Sequence, residues 1–243
     1  MVNNISTNLL NGLFPNHCVL CGMRSHRSVP LCLACEGEMP ANHSCCAGCA
    51  IPLPSSMTFD PRQRCGSCLL TPPPFHRVVA PWLYGEYLSH IIHQWKFSGE
   101  RRMTPLLASL WQQRAEIHSP IDLLVPVPLH WRRRWQRGFN QSELLCRQIL
   151  ATSPELDRCK LAHQLVKRRR STAAQSSMTA QQRAHNLKGA FTVSESCDNL
   201  SIAIVDDVFT TGATASAVAD ALVTAGADHI EVWCLARTPA PDY

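Results

Sequence analysis

Four Cys-x-x-Cys pairs within residues 18–68 constrain this chain more than any other feature of its sequence. The pairs are Cys18/Cys21, Cys32/Cys35, Cys46/Cys49 and Cys65/Cys68. Each pair places two sulfur atoms on one tight turn, and a tetrahedral Zn²⁺ takes two such turns. A unit this small has little apolar core, so bound metal would supply most of its folding free energy. The spacing therefore predicts two structural zinc sites in an N-terminal domain that resembles a double zinc ribbon.

The sequence leaves the partners within each zinc site open. Pairing in chain order is the simplest arrangement, but interleaved pairing fits equally well, and Cys45 could replace Cys46 as a ligand. A redox-active or partly disordered cysteine-rich arm is the alternative to metal binding. Nine of the 13 cysteines fall in the first 70 residues. In a reducing compartment such clustering favours metal over disulfides.

Composition indicates a globular protein, because 45% of the 243 residues are hydrophobic and 17% are charged. The formal charge of +5 falls to about +1 if eight thiolates bind two Zn²⁺, since −8 + 4 = −4. Overall charge is therefore no argument for nucleic-acid binding. The first residues lack the basic start of a signal peptide, and no apolar run approaches the ~20 residues of a membrane helix. We expect a soluble, cytoplasmic protein without membrane insertion.

The pattern of the chain changes after residue 70. The stretch TPPPFHR at 71–77 predicts a proline-stiffened linker between a zinc-binding domain at 1–70 and a second domain at 78–243. Strands are predicted at 121–129, 201–207 and 229–237, and helices at 140–150 and 214–226. Strands that alternate with helices indicate an α/β fold, in which a mostly parallel sheet is flanked by helices.

The stretch IVDDVFTTGAT at 204–214 places two acids at the end of a predicted buried strand. Adjacent carboxylates raise each other's pKa, so this arrangement calls for a cationic or hydroxyl-rich ligand. The turn after the acids offers hydroxyl groups, backbone N–H groups and a helix N-terminus, which together suit a phosphate. Gly212 lets the backbone approach closely. A phosphorylated sugar would satisfy both the acids, through its hydroxyl groups, and the turn, through its phosphate. An ordinary strand–turn–helix with threonine caps is the alternative.

This stretch closely resembles the signature of type I phosphoribosyltransferases. The resemblance implies that Asp206 and Asp207 bind the ribose hydroxyls of phosphoribosyl pyrophosphate, which is bound with Mg²⁺. It also implies that five residues hold the 5′-phosphate: Thr210, Thr211, Gly212, Ala213 and Thr214. Phe209 stands where the signature has a smaller aliphatic residue.

The resemblance extends along the chain in one order. The cysteine pairs, IHQWKFSGE, VPVPLHWRRRWQRGFNQ, STAAQSSMTAQQRAHNLKGAF and the acid motif together resemble the ComF family. Within that family the chain is most similar to the GntX proteins, which are linked to competence and DNA utilisation. The resemblance implies a type I phosphoribosyltransferase fold behind the zinc domain.

Further residues take roles from these segments. Pro128 lies in the loop expected to hold pyrophosphate, which suits the guanidinium groups of Arg132, Arg133 and Arg137. Lys96 could reach a phosphate or pack over core aromatics. The segment at 167–186, KRRRSTAAQ followed by QQRAHN, has the length and polarity of a mobile lid, and the family pattern it matches implies Gln175, Ser176 and Arg183 as candidate catalytic residues. A solvated basic face is the alternative for the arginine-rich stretch. A surface helix is the alternative for the lid segment.

These features predict an enzyme that transfers the phosphoribosyl group to an unknown acceptor. The alternative from another class is a non-catalytic ligand sensor or adaptor for single-stranded DNA, working with competence proteins. The stretch HWRRRWQRGF interleaves Trp131, Trp135 and Phe139 with arginines, which suits the binding of single strands. Packing of Trp131 and Trp135, four residues apart, on one helix face is the alternative. A conventional base-salvage enzyme is a third interpretation.

Overall fold

The protein is described by a computed structural model covering residues 16–54, 62–97, 101–129, 135, 138–169, 187 and 189–239. Its helices are α1 (Leu33–Gly37), α2 (Gly66–Leu70), α3 (Glu86–Phe97), α4 (Met103–Gln112), α5 (Gln141–Thr152) and α6 (Ala213–Thr224). Its strands are β1 (Arg77–Val79), β2 (Trp82–Leu83), β3 (Leu123–Pro126), β4 (Lys160–Leu161), β5 (Val166–Arg168), β6 (Phe191–Val193), β7 (Ser201–Phe209) and β8 (His229–Arg237). A 3₁₀ turn at Pro154–Leu156 follows α5.

Six strands form one parallel sheet in the order β1–β8–β7–β3–β4, and β2 also pairs with β8. Val79 lies opposite Trp233 and Trp82 lies opposite Ala236, so β1 and β2 keep one register along β8. They are two pieces of one strand, interrupted where Pro81 has no N–H to donate. Strands β5 and β6 form a separate antiparallel pair. The predicted α/β class, with its mostly parallel sheet, is confirmed.

The predicted elements differ from the structure mainly at their ends. Strand β8 has the predicted bounds, whereas β7 continues two residues beyond the predicted 207 because β8 pairs with it up to Phe209. Strand β3 is shorter than the predicted 121–129 and ends at Pro126. The reason is that Pro126 and Pro128 lack the N–H groups that a longer ladder requires. Helix α6 ends at Thr224, two residues before Gly226.

Two hydrophobic cores lie on opposite faces of the sheet, because successive side chains of a strand point to opposite sides. Ala203 and Val205 of β7 belong to the core that includes α3, α4 and α5. Ile202 and Ile204 belong to the core that includes α6. The helices therefore flank both faces. Within the ranges given above, no helix combines the length and the apolar character needed to cross a membrane.

The N-terminal segment contacts the sheet beside β1 and β2. Ala41 forms an antiparallel bridge with Trp82, and the Leu83 N–H donates to the carbonyl of Pro40. Leu31 joins the core of α3, α4 and α5, whereas Ala50 joins the core of α6. The cysteine-rich segment therefore shares buried surface with both cores.

The predicted linker at 71–77 also contacts the sheet. Phe75 is buried and meets Phe209 edge to face, with ring centroids 6.0 Å apart. The His76 N–H donates to the carbonyl of Ile230, and Arg77 is the first residue of β1. The domain boundaries at 70 and 78 stay a prediction.

Candidate functional site

The paired cysteines form two groups of four sulfur atoms, each group with all its ligand atoms within 4.8 Å of one another. The groups are Cys18, Cys21, Cys32 and Cys35, and Cys46, Cys49, Cys65 and Cys68. Separations of 3.8 Å between Cys21 and Cys32 and 3.7 Å between Cys49 and Cys65 match the edge of a zinc tetrathiolate, about 3.8 Å for Zn–S bonds of about 2.3 Å. The structure thus pairs the turns in chain order and uses Cys46 rather than Cys45.

The backbone around the second group is shaped for a metal. The Cys65 N–H donates to the Sγ of Cys46 at 3.1 Å. A hydrogen bond from Cys49 is the main reason that the pKa of Cys46 is lowered to about 4, which favours the thiolate form that binds zinc. At Gly48 a Cβ would lie 3.1 Å from the Sγ of Cys68, so a side chain there would require that sulfur ligand to shift. These residues fit a structural zinc ion.

The acid pair lies inside β7 rather than after it. Strand β7 stays paired with β8 to its last residue, Phe209, but its ladder with β3 ends at Val205. Asp206 and Asp207 follow directly. They therefore lie at the carboxyl edge of the sheet, where open α/β sheets bind their ligands.

Polar side chains from two helices, α3 and α5, contact the two acids. The Nζ of Lys96, at the end of α3, lies 2.6 Å from Oδ2 of Asp207. The side-chain amide of Gln141 donates to the same oxygen at 3.1 Å, and the hydroxyl of Ser142 donates to Oδ1 of Asp206 at 3.3 Å. Gln141 and Ser142 form the start of α5, whose positive end faces the two carboxylates.

The two carboxyl groups have different environments. Asp207 is buried and carries the ion pair with Lys96. Burial, and then the charge of Asp207, raise the pKa of Asp206 from 3.8 to about 7. The Asp207 N–H, Lys96 and Ser142 oppose that rise without cancelling it. At neutral pH Asp206 is therefore poised between its two forms, and hydroxyl donors or a cation would favour the carboxylate.

The Thr-Thr-Gly turn connects β7 to α6. Thr210 and Thr211 are exposed, and the Oγ1 of Thr211 accepts from the N–H of Ala213 at 3.4 Å. Gly212 has a φ of +77°, and a Cβ at this position would lie 2.6 Å from the ring of Phe209. Both facts require glycine. The turn consequently presents its hydroxyl groups at the N-terminal end of a 12-residue helix, whose first turn contains Ala213 and Thr214.

Arg237, the last residue of β8, ties this turn to the second cysteine group. Its Nε donates to the carbonyl of Cys49 at 3.0 Å, and its Nη1 donates to the carbonyls of Phe209 at 3.1 Å and Thr210 at 2.7 Å. The guanidinium also lies 5.3 Å from the ring centroid of Phe209. Burial lowers the pKa of Arg237, and Cys49 is the largest influence opposing that shift.

The loop after β3 approaches the same edge. Val127 follows the strand directly and precedes Pro128, and the carbonyl of Val127 accepts from the side-chain amide of Asn140 at 3.1 Å. The oxygen of the Asn140 side chain caps α5 by accepting from the N–H of Ser142. The loop and the start of α5 are thus held together beside the acids.

Two sets of candidate residues lie outside the described residues: Arg132, Arg133 and Arg137, and Gln175, Ser176 and Arg183. Trp135, which stands between Arg133 and Arg137 in the sequence, is described, and its exposed fraction is 88%. Phe139 is buried, and the guanidinium of Arg101 lies 5.3 Å from its ring centroid. Of the aromatics predicted to interleave with arginines, Phe139 is therefore not available to stack on a base.

Sequence reasoning did not identify Gln141, Ser142 and Arg237 as site residues. A signal existed for each, because a helix that follows a strand of a parallel sheet begins at the carboxyl edge. Arg237 ends a predicted strand at that edge. The cysteine turns and the residues of 206–214 were found from their own motifs.

Comparison with known proteins agrees with this architecture. A family model described as a double zinc ribbon domain matches residues 9–69. DNA utilization protein YhgH of Salmonella typhi is 37% identical over 233 residues, which cover 92% of this chain and 98% of that protein. Competence protein F of Haemophilus influenzae is 33% identical over 225 residues, covering 85% and 96%. Competence protein ComFC of Streptococcus pneumoniae is 25% identical over 162 residues, covering 67% and 68%.

The ribbon match accounts for the cysteine turns of the N-terminal segment. The match to YhgH includes nearly the whole of both chains. Extended similarity at this level, together with the collinear motifs, shows that the chain belongs to the ComF family.

Proposed function

We propose that the protein binds phosphoribosyl pyrophosphate with Mg²⁺ at the carboxyl edge of its sheet and transfers the phosphoribosyl group to an acceptor used in DNA utilisation or competence. One observation carries this proposal: Asp206 and Asp207 lie beside a glycine-dependent threonine turn and are oriented by Lys96 and the start of α5. The names of the relatives support the setting in DNA utilisation.

The acids would accept hydrogen bonds from the 2′ and 3′ hydroxyls of the ribose. Lys96 and Gln141 both contact Oδ2 of Asp207, and this fixes the orientation of that carboxylate. Asp206 has a pKa of about 7 in the ligand-free protein. Donation from ligand hydroxyls would favour its ionised form, so binding should release a proton below neutral pH.

The 5′-phosphate would occupy the turn that begins α6. Thr210, Thr211 and Thr214 offer hydroxyl donors there, next to the N–H groups of Gly212 and Ala213. The positive end of the helix adds a favourable electrostatic contribution. Acids and phosphate would then contact different parts of one ligand, which avoids their mutual repulsion.

In the proposed reaction the bond between C1′ and the pyrophosphate oxygen breaks, and pyrophosphate leaves with the electron pair. The acceptor forms the new bond to C1′ through an oxocarbenium-like transition state. The fold would contribute positioning and charge stabilisation. Mg²⁺ would supply countercharge for the pyrophosphate. We assign pyrophosphate binding to the Pro128 loop with Arg132, Arg133 and Arg137, and closure over the reacting centre to Gln175, Ser176 and Arg183.

The two cysteine groups would each bind one structural Zn²⁺. Each offers four sulfur ligands, which completes a tetrahedron and leaves no position for a substrate. We expect two zinc ions per chain by elemental analysis of protein purified without chelators. A content near zero in folded protein would contradict this assignment.

Calorimetric titration of zinc-replete protein with Mg²⁺–phosphoribosyl pyrophosphate tests the function. We expect saturable binding that Asp206→Asn weakens at least tenfold. Asp228→Asn is the matched control, because it makes the same charge change at an exposed position that precedes β8, at the opposite edge of the sheet. Equal affinity of the wild type and Asp206→Asn would overturn the role of the acids. If binding is observed, an assay for pyrophosphate release with a candidate acceptor distinguishes an enzyme from a ligand sensor: an enzyme releases pyrophosphate and a sensor does not.

The second candidate function is an adaptor that binds single-stranded DNA. It is favoured by Trp135, whose side chain is 88% exposed within an arginine-rich stretch. Exposed aromatics that alternate with cations provide stacking surfaces for bases. An oligo-dT titration should quench tryptophan fluorescence in the wild type, and Trp135→Ala should bind at least tenfold more weakly. Tyr87→Ala is a control at another exposed aromatic, and equal binding by all three proteins would exclude this contact.

A further inference from the structure

Arg237 joins two parts of the molecule that the proposed function treats separately. One nitrogen of its guanidinium donates to the carbonyl of Cys49, in the second cysteine group. Another donates to the carbonyls of Phe209 and Thr210. These residues begin the Thr-Thr-Gly turn, which is called the phosphate turn or ligand turn below because the proposed 5′-phosphate would bind there. The side chain thus spans the cysteine turn and the ligand turn directly, without an intervening residue.

The contacts of Arg237 make its position dependent on both turns. Its hydrogen bonds go to backbone carbonyls and to the hydroxyl of Thr238. In the described part of the chain no carboxylate forms an ion pair with Arg237. A tetrathiolate zinc site carries a net charge of about −2, since +2 − 4 = −2. The occupied second site would therefore supply the countercharge of this buried cation.

The first cysteine group has a different position. Cys18 belongs to the core of α3, α4 and α5, and Cys32 and Cys35 pack against that core. Cys49, in contrast, packs against the core of α6, the helix that follows the phosphate turn. Among the residues that the structure describes, hydrogen bonds connect only the second group to the turn at 209–212, through Arg237, so the two groups can be compared.

We infer that Arg237 is a positioning residue through which metal occupancy of the second cysteine group orders the phosphate turn. With zinc bound, the carbonyl of Cys49 is fixed and Arg237 holds the carbonyls of Phe209 and Thr210 in place. Loss of that metal frees the cysteine turn, and the ligand turn loses order with it. This inference rests on the proposed function for its effect on ligand affinity, but the ordering of the turn does not depend on any ligand.

Hydrogen exchange on zinc-replete protein, without ligand, tests the inference. Arg237→Met should speed amide exchange at residues 209–213 at least tenfold while two zinc ions remain bound, and Arg237→Lys should have a smaller effect because it keeps the charge but not the fork. Cys65→Ser should speed exchange in the same residues. Cys21→Ser in the first group is the matched control and should leave them unchanged.

Combining Cys65→Ser with Arg237→Met distinguishes a connection through Arg237 from a general loss of stability. If Arg237 carries the coupling, the double variant exchanges no faster in this turn than Arg237→Met alone. Additive effects, or equal effects of Cys65→Ser and Cys21→Ser, would overturn the inference. Should Cys65→Ser fail to fold, zinc transfer to a colorimetric chelator replaces that arm. Arg237→Met should then speed one of two release phases, and unchanged release would count against the connection.

Calorimetry with Mg²⁺–phosphoribosyl pyrophosphate completes the test. If the inference and the proposed function both hold, Arg237→Met lowers affinity about tenfold. Faster exchange in the turn of a protein that does not bind this ligand would refute the proposed function alone. Normal exchange with intact binding in Arg237→Met would refute the positioning role alone.

Discussion

Asp206→Asn should stabilise the folded protein even though it removes a proposed ligand-binding group. The pKa of Asp206 rises from its ordinary 3.8 to about 7 because of burial and the neighbouring charge of Asp207. The folded protein therefore holds a proton that the unfolded chain releases between about pH 4 and pH 7. The stability that Asp206 contributes to the wild type is therefore lost as the pH rises through this window and stays lost above it.

The size of the effect follows from the same pKa. A difference of about three pH units corresponds to roughly 4 kcal/mol of unfolding free energy, and relaxation around the charge reduces this to about 3 kcal/mol. The amide oxygen of the variant can still accept from Ser142 and from the N–H of Asp207, the two donors to Oδ1. In a protein of this size, that gain raises the melting temperature by roughly 6–12 °C at pH 8.

Thermal unfolding of zinc-replete protein from pH 5.5 to 8.5 is the assay. The advantage of Asp206→Asn should reach its full value at about pH 7, and about half of it should remain at pH 5.5. Asp207→Asn is the matched control and should be less stable than the wild type, because it leaves the ammonium of Lys96 without its carboxylate. A gain that is equal at all pH values, or no gain at pH 8, would refute the reasoning.

Two further predictions concern glycines. Gly48→Ala should speed zinc loss to a chelator from one of the two sites, because its Cβ would lie 3.1 Å from the Sγ of Cys68, whereas Gly37→Ala has open space and should retain both ions. Gly212→Ala should cost about 2–4 kcal/mol in chemical denaturation, from a φ of +77° and a contact of 2.6 Å with Phe209. Adding Phe209→Leu should recover the steric part only, and full recovery would show that the backbone conformation is not strained.

The sequence was sufficient for the elements whose signals are local. Apolar runs gave β7 and β8 to within two residues, and each Cys-x-x-Cys pair forms one tight turn. The pairing of those turns was not accessible, because interleaved and sequential arrangements require the same spacing. It is settled by three-dimensional contacts such as the approach of Gly48 to Cys68, which the sequence does not encode locally.

Only the part of the candidate site that lies within the motif at 204–214 could be predicted from the sequence. Asp206, Asp207 and the threonine turn are contiguous, so a resemblance in one stretch located them. Lys96 and Gln141 come from distant elements, and their contact with Asp207 depends on how α3 and α5 pack on the sheet. The sequence indicates that Lys96 reaches a phosphate or packs over aromatics. In the structure its Nζ pairs with Asp207, and a contact with phosphate stays a prediction.

The contacts of the N-terminal segment have a consequence for dissecting the protein. Ala41 and Pro40 pair with Trp82 and Leu83, so that β2 has a neighbour on each side. A chain cut at residue 78 would present these backbone groups, and the apolar surface that Leu31 covers, to other copies of itself. Open strand edges of this kind recruit further strands. Such a fragment should aggregate on expression, so the sheet domain is best studied with its cysteine-rich segment attached.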